Sequence, residues 1–271
     1  MESETKYNEQ EDLLAHNQNR IIEKIQKFKQ PDKKNNFKEL KPKYKKNKII
    51  IHYLFSLLIS ILLNQCRNEY NYITIKIVWS GEQTLFNSTI KDSNKPVRMK
   101  IGGGDQNVVS KFNFGYENNN IDLIWGDNKI KDLSNLFFGC KAIFEVDLSH
   151  FDASQVTSMK SMFEDCINLK SINFNKLYTP NLIDMSSMFK DCNSLTSINI
   201  YFDTSKVTSI EYLFKGCYNL TNIYLSVFRN SPITNMKNFF YDCSTLSFID
   251  LSFLQNSKVT NMNNMFGNAI I

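Results

Sequence analysis

Five cysteines form the most regular set of reactive side chains in this sequence. They lie 26, 26, 25 and 26 residues apart, at Cys140, Cys166, Cys192, Cys217 and Cys243. A metal array would use close cysteine pairs with histidines nearby, but each step has one cysteine and the three histidines lie elsewhere. Disulfides need facing Cβ vectors, whereas equivalent positions of stacked units point the same way. We therefore predict free core thiols, since unpaired cysteine is commonly buried.

Two further segments contain residue types that could act in catalysis or ligand binding. His150 lies near Asp147 and Asp152, but all three fall in one short strand and loop, where exposed polar residues are common. Gly102-Gly103-Gly104-Asp105 lacks the frame of a phosphate-binding loop and no helix follows it, so it predicts a hairpin turn. We find no Ser-His-Asp, Cys-His or paired-carboxylate arrangement, and predict no enzyme activity, no cofactor and no metal.

The cysteines belong to a larger repeat. A phenylalanine stands three positions before each of them, and a sixth follows at Phe266. In one unit, Met159, Met162, Phe163 and Cys166 have i, i+3, i+4, i+7 spacing, which predicts a helical face of two turns at most. The following Leu-x-x-Ile-x-Phe from Leu169 has the strand pattern of a leucine-rich repeat. A third apolar column follows in the loops: Phe151, Leu177, Phe202, Phe228 and Leu254.

Units this short cannot bury an apolar face alone, so stacked neighbours must share one core. We predict an α/β repeat fold, a right-handed solenoid with a parallel sheet on one side and short helical turns on the other. It occupies residues 133–271, as about five units plus a partial sixth. After Phe266 no C-terminal cap is visible. Either the chain is a truncated member of a longer family or this uncapped repeat associates end to end with another molecule, and we favour truncation.

The phrase VTSMKSMFEDCINLKSINF, with FDTSK and a second VT following in a later unit, resembles the repeat of BspA-like leucine-rich-repeat surface proteins. These include the roughly 26-residue-repeat proteins of mycoplasmas and unicellular eukaryotes. The resemblance covers about residues 133–266. It implies a leucine-rich-repeat fold and a non-catalytic surface or secreted protein that acts in adhesion and protein binding. LYTP in place of FDTS and the incomplete last unit depart from the pattern.

The N-terminal part of the chain predicts a tail and a membrane segment. Residues 1–48 carry thirteen Lys/Arg against eight Asp/Glu, which equals the net charge of +5 for the whole chain. The charges after residue 48 therefore sum to zero, and we predict no nucleic-acid binding by the repeats. Residues 1–48 read as a largely disordered tail. Residues 49–66 form an uncharged stretch that is short but sufficient to span a membrane.

Lysines before this stretch favour a single-pass signal-anchor with a cytosolic N-terminus and extracellular or lumenal repeats. A cleaved signal peptide, lipidation at Cys66 and a buried core helix remain the alternatives. Residues 67–132 predict a small β region that caps the solenoid, with strands at Ile73–Val78, Val97–Ile101, Lys111–Phe114 and Ile121–Trp125.

The predicted working surface is the outward side of the repeat strands, because alternate strand residues face away from the core. Its candidate ligand-binding residues are Asp147, Asn173, Asn199, Tyr224 and Asp250, flanked by Lys170, Thr196, Thr221 and Ser247. We expect a membrane-anchored module for protein–protein interaction or adhesion, with a protein or glycan ligand. The alternative is an intracellular, membrane-tethered scaffold. Two sequons, at Asn87 and Asn219, favour the lumenal or extracellular side in a eukaryote.

Overall fold

The computed structural model describes residues 71–115, 119–256 and 258–269. The predicted tail (residues 1–48) and the predicted membrane segment (residues 49–66) lie outside these ranges. Within them, no helix has both the length and the apolar character needed to cross a membrane.

The first described part of the chain is a β region. Its strands are β1 (Tyr72–Ile77), β2 (Gly81–Thr84), β3 (Arg98–Ile101), β4 (Gly104–Gln106), β5 (Lys111–Phe114) and β6 (Asn119–Ile124), with a 3-10 helix at Asp92–Asn94. In β1 the side chains of Ile73, Ile75 and Ile77 are fully buried, and this period-two alternation is what predicted the strand. Strand β2, which pairs with β5, was not predicted because Ser80-Gly81 indicated only a turn.

Gly102 and Gly103 form the two-residue turn between β3 and β4. Their φ angles are +56° and +84°, in the left-handed region that glycine adopts without steric cost. Positive φ at both central residues matches the turn that joins twisted antiparallel strands. The prediction of a hairpin turn is confirmed.

The β region joins the repeats by backbone pairing. The first repeat strand, β7 (Ile143–Asp147), pairs antiparallel with β1 on one side and parallel with β8 (Ser171–Asn173) on the other. The resulting six-stranded sheet has the order β4-β3-β6-β1-β7-β8. Behind it, Trp125 of the β region packs edge-to-face on Phe151 of the first repeat, with ring centroids 5.2 Å apart.

The later repeats continue as a stack of similar coils. Strands β9 (Ser197–Ile198) and β10 (Asn222–Ile223) form a parallel pair of their own, and the next two loops contain 3-10 helices at Ser226–Asn230 and Ser252–Asn256. A second parallel ladder of single bridges connects Asp132, Ser158, Asp184, Ser209, Asn235 and Asn261. The coils therefore pair at every step of this ladder, whereas pairing among the repeat strands is limited to β7 with β8 and β9 with β10. The result is a repeat-like, β-rich domain.

The predicted core columns are confirmed by burial. The phenylalanines of the first five units are fully buried, as are the five cysteines, which are free thiols. Successive phenylalanine rings of this column stack with centroids 5.5–5.8 Å apart. In the loop column Leu254 is only partly buried, whereas Phe151, Leu177, Phe202 and Phe228 are buried.

The predicted helical turns are wrong. The described residues contain no α-helix, and the segment from Met159 to Cys166 is a series of tight turns. Its N–H groups at Met162, Glu164 and Cys166 each donate to the carbonyl three residues earlier. Such turns place residues i, i+3, i+4 and i+7 on one side much as a helix does, so the burial pattern was right and the conformation was not.

The intervening N–H groups bond along the stack instead. Ser161 N donates to Ser186 O, and Phe163 N donates to Met188 O, both at 2.9 Å. One such row of bonds continues through five steps, always from a phenylalanine N–H to the next coil. Its donor–acceptor pairs are Phe137–Met162, Phe163–Met188, Phe189–Leu213, Phe214–Phe239 and Phe240–Met265.

Two columns of residues with left-handed backbone conformation produce these tight turns. The first contains Asn135, Ser161, Ser187, Tyr212, Asn238 and Asn264, with φ between +52° and +61°. The second contains Gly139, Asp165, Asp191, Gly216, Asp242 and Asn268, with φ between +58° and +73°. Gly, Asn and Asp tolerate this region best, so the turn segment is encoded mainly by these residues, four positions apart, and not by helix propensity.

Candidate functional site

The outward side of the repeat strands, here called the strand face, consists of alternate residues of β7–β10 and the equivalent positions of the next coil. Val146, Ile198 and Ile223 point inward and are buried. Because successive side chains of a strand point to opposite faces, their neighbours point outward. The five predicted ligand-binding residues occupy equivalent outward positions in consecutive coils: Asp147, Asn173, Asn199, Tyr224 and Asp250.

The structure brings the first two of these residues into contact. Asp147 is paired with Asn173 in the sheet register, and Asn173 Nδ2 donates to Asp147 Oδ1 at 3.1 Å. The same oxygen accepts the Ser149 N–H at 2.8 Å. Both side chains are half-buried and held in place, whereas Asn199, Tyr224 and Asp250 are exposed.

A groove of about 450 Å³ lies over the first two repeat strands and the β region. Its walls include Thr74 and Lys76 of β1, which sequence reasoning did not assign to the site although their alternation with buried isoleucines was visible. Lys76 Nζ lies 3.5 Å from a carboxylate oxygen of Glu145. Thr74 Oγ1 donates to Asp122 Oδ1 at 2.7 Å. This end of the strand face is therefore charged and internally hydrogen-bonded.

A smaller groove of about 210 Å³ separates β8 from β9. Polar side chains line it, among them Ser171, Asn173, Ser197 and Asn199, with Tyr201 at one margin. Lys170 also borders the groove, and its Nζ lies 4.7 Å from the centroid of the Phe144 ring. Both grooves thus open on the strand face.

Beyond this groove the strand face presents three uncovered aromatic rings. Tyr201, Tyr224 and Phe248 have 74%, 71% and 78% of their surface exposed. Tyr224 was among the predicted ligand-binding residues, whereas Tyr201 was missed. Tyr201 was available from the pattern, since it lies two residues beyond the predicted Asn199.

The group around His150 serves other contacts. The His150 ring stacks on Tyr72 with centroids 4.8 Å apart, and its Nδ1 lies 3.0 Å from Ser149 Oγ. Asp152 pairs with Lys129 instead. Burial acts to raise the pKa of Asp152, but the bonds from Lys129 and Ser154 outweigh it and the pKa is lowered. The carboxylates and the imidazole are thus held in separate interactions.

The two sequons differ in their surroundings. Asn87 Oδ1 accepts the Thr89 N–H at 3.0 Å and the Thr89 hydroxyl at 2.9 Å. Asn219 is exposed, and its Nδ2 donates to Asn193 O at 2.7 Å. The side-chain amide of Asn219, to which a glycan would be attached, is therefore hydrogen-bonded to the preceding coil.

The thiol ladder is chemically shielded. Each cysteine from the second to the fifth donates its S–H to the phenylalanine carbonyl of the preceding coil, for example Cys192 Sγ to Phe163 O at 3.1 Å. Burial raises the pKa of Cys140 and of Cys243 to about 12. Burial also raises the pKa of the three central thiols well above the ordinary value. The thiolate is the reactive and metal-binding form of cysteine. Because the raised pKa keeps these thiols protonated, their surroundings favour a packing role over reaction or metal binding. In the ranges that the structure describes, no cluster of three or more His, Cys, Asp or Glu residues is arranged to hold a metal ion.

Comparison with known proteins gives a family and one distant structural likeness. The family model described as "Mycoplasma protein of unknown function, DUF285" matches residues 106–219 and 196–270, which together exceed half of the chain. No curated protein matches the sequence. The crystal structure of a leucine-rich-repeat protein from T. pallidum aligns with a TM-score of 0.29 and 18% identity, covering 43% of this chain. The aligned part is 61% of that protein, so the present chain spans less than two thirds of its length.

Proposed function

This chain belongs to the DUF285 family of mycoplasma proteins of unknown function, and we propose that it is a non-catalytic binding module of the BspA-like leucine-rich-repeat type. In this proposal the strand face contacts a macromolecular partner in adhesion or protein–protein interaction. The observation that carries the proposal is the position of the two grooves and the three exposed aromatic rings, all on the strand face. Exposed rings rimmed by polar side chains are typical of interaction surfaces.

The arrangement of the strand face supports binding more than catalysis. Asp147 and Asn173 bond each other, and His150 and Asp152 are engaged elsewhere. A surface that repeats with every coil suits an extended partner, since solenoids commonly use one long face for recognition. The predicted membrane anchor at residues 49–66 completes the proposal, with the repeats on the extracellular or lumenal side.

Adhesion to cultured host-cell monolayers tests the role of the strand face. We expect the purified chain with alanine at Asn173, Asn199, Tyr224 and Asp250 to lose cell binding while its far-UV spectrum is unchanged. The matched control carries four alanines at exposed positions outside the strand face, at Lys131, Lys160, Thr208 and Thr234. Unaltered adhesion of the strand-face variant, or equal loss in the control, would contradict the proposal.

The side of the membrane is tested separately by adding protease to intact cells that express a C-terminally tagged chain. Loss of the tag is the expected result for surface-displayed repeats. A tag that becomes sensitive only after permeabilisation would rule out surface display. It would leave a lumenal protein or the intracellular membrane-tethered scaffold.

A further inference from the structure

The three exposed rings of the strand face form a diagonal row. Strand pairing places Asn222 opposite Ser197 and Ile223 opposite Ile198, so Tyr224 lies level with Asn199. Tyr201 is two residues further along its coil. Phe248 occupies the position equivalent to Asn222 in the following coil, two residues before the level of Tyr224. Each step of the row therefore moves one coil across and two residues along.

Strand geometry gives the spacing of this row. Paired neighbouring strands lie ~4.8 Å apart and two residues of extended backbone span ~6.6 Å, so with the coils in this register the Cα atoms of successive row positions are about 8 Å apart. Apolar side chains on one ridge of a polyproline II helix recur every third residue, at about 9 Å, from a rise of ~3.1 Å per residue. The backbone positions of the three aromatic residues thus recur at nearly the interval at which such a helix presents proline rings.

The polar side chains around the rings fit the same ligand. A proline-rich segment has backbone carbonyls but few N–H groups, so it needs donors on the receptor. The neighbouring outward positions provide amide and hydroxyl donors at Ser197, Asn199 and Asn222, together with the hydroxyls of the two tyrosines. This part of the strand face contrasts with the charged end, where Lys76 and Glu145 pair.

Asp250 is the single charged side chain among the seven exposed outward positions of these three coils, which are Ser197, Asn199, Tyr201, Asn222, Tyr224, Phe248 and Asp250. The Ser252 N–H donates to its Oδ1 at 2.8 Å. Hydrogen bonds from Ser252 lower the pKa of the Asp250 carboxyl, and the charge of Arg229 in the preceding coil helps to lower it further. A largely uncharged ligand whose basic residue competes with Arg229 for Asp250 would match this distribution of charge.

We propose that the row of Tyr201, Tyr224 and Phe248 binds an extended proline-rich segment of a partner protein in the polyproline II conformation. The proposal rests on the binding function of the strand face and names the class of its partner. Aromatic side chains on a sheet surface recognise such segments because the preformed helix has little conformational entropy to lose. Asp250 attracts a Lys or Arg that flanks the prolines.

Fluorescence anisotropy of labelled decaproline with the purified full chain tests this proposal. We expect saturable binding whose Kd rises at least tenfold in Tyr224→Ala and several-fold in Tyr201→Ala and Phe248→Ala. Tyr178→Ala is the matched control, because Tyr178 is 64% exposed but lies outside the row. A glycine-serine peptide of equal length should not bind. Comparable binding of that peptide, a Kd insensitive to Tyr224→Ala, or binding to arrayed glycans but not to decaproline would overturn the proposal.

A second measurement isolates Asp250. Decaproline followed by two arginines should bind at least threefold more tightly at low salt than decaproline followed by two glutamates. Asp250→Asn and high salt should both remove this preference, and equal affinities would refute the role of Asp250. If decaproline does not bind but the four-alanine variant still loses cell adhesion, only the ligand class is wrong. If that variant adheres normally, the binding function of the strand face fails as well.

Discussion

Stacked turns and a helix predict opposite changes in stability when a glycine in the left-handed columns of the turn segment is replaced by alanine. In a helix interior, Gly216→Ala would stabilise the protein by about 1 kcal/mol, because glycine is a poor helix former. In the observed turns, Gly216 has a φ of +73° and a Cβ at this position would overlap Asp191 Oδ1. We therefore expect Gly216→Ala to be destabilising.

The magnitude follows from two contributions. Placing a Cβ in the left-handed region costs roughly 1–2 kcal/mol. The overlap with Asp191 adds to this cost, since Asp191 is held near Lys190, 3.4 Å from Oδ2 to Nζ. Gly139→Ala separates the two contributions, because Gly139 has a φ of +69° with open space around it. We expect Gly139→Ala to lose about 1–2 kcal/mol and Gly216→Ala to lose more.

The complementary substitution is Tyr212→Asn. Tyr212 occupies the first left-handed column, with a φ of +59°, where all five other units have asparagine or serine. Asparagine tolerates this conformation better than tyrosine, so we expect a gain of about 0.5–1 kcal/mol, partly offset by loss of the Lys237 contact with the Tyr212 ring. Urea denaturation of the purified chain, followed by tryptophan fluorescence, measures all three variants. A stabilising Gly216→Ala together with a destabilising Tyr212→Asn would refute the stacked-turn account.

The remaining predictions concern the thiol ladder. Because burial raises the pKa of Cys140 and Cys243 to about 12 from an ordinary 9.0, their contribution to stability is present below pH 9 and is lost as pH rises toward 12. The urea midpoint should therefore fall between pH 9 and pH 11, and less so in Cys243→Ser, which has one buried ionisable thiol fewer; an equal fall in both would contradict this assignment. Cys192→Ala removes a buried sulfur and its bond to Phe163 O, and should destabilise the chain by about 1–2 kcal/mol. Tyr178→Ala should change stability by less than about 0.5 kcal/mol in the same denaturation assay, and similar losses in the two variants would count against the packing role of the thiol.

Burial was far easier to predict from the sequence than backbone conformation. The columns of Met159, Phe163 and Cys166 were identified as core from their spacing alone, and all three are fully buried. The same spacing suggested a helix, because apolar periodicity reports which side faces the core and not which turn produces it. The distinguishing signal was the polar residue between the apolar ones: Ser161 and Asp165 have positive φ. Their recurrence as Asn, Ser, Asp or Gly in every other unit except at Tyr212 favours left-handed turns.

The strand face was predictable for a related reason. Strict alternation fixes which residues point outward, so Asn199, Tyr224 and Asp250 were placed correctly as exposed. The pairing of β1 with β7 was not visible, because antiparallel pairing between distant segments leaves no local pattern. The contribution of Thr74 and Lys76 to the larger groove depends on that pairing.

The rows of hydrogen bonds along the turn side give the stack an electrical direction. The Met162 carbonyl accepts a hydrogen bond from the Phe137 N–H. The N–H of the same peptide unit, which belongs to Phe163, donates to the next coil, and this pattern continues to Met265 O. Aligned peptide dipoles add, as they do in an α-helix, and bonds in such a series polarise one another. The array therefore carries a macrodipole with its positive pole toward the C-terminal coils. An anionic group is favoured at that pole.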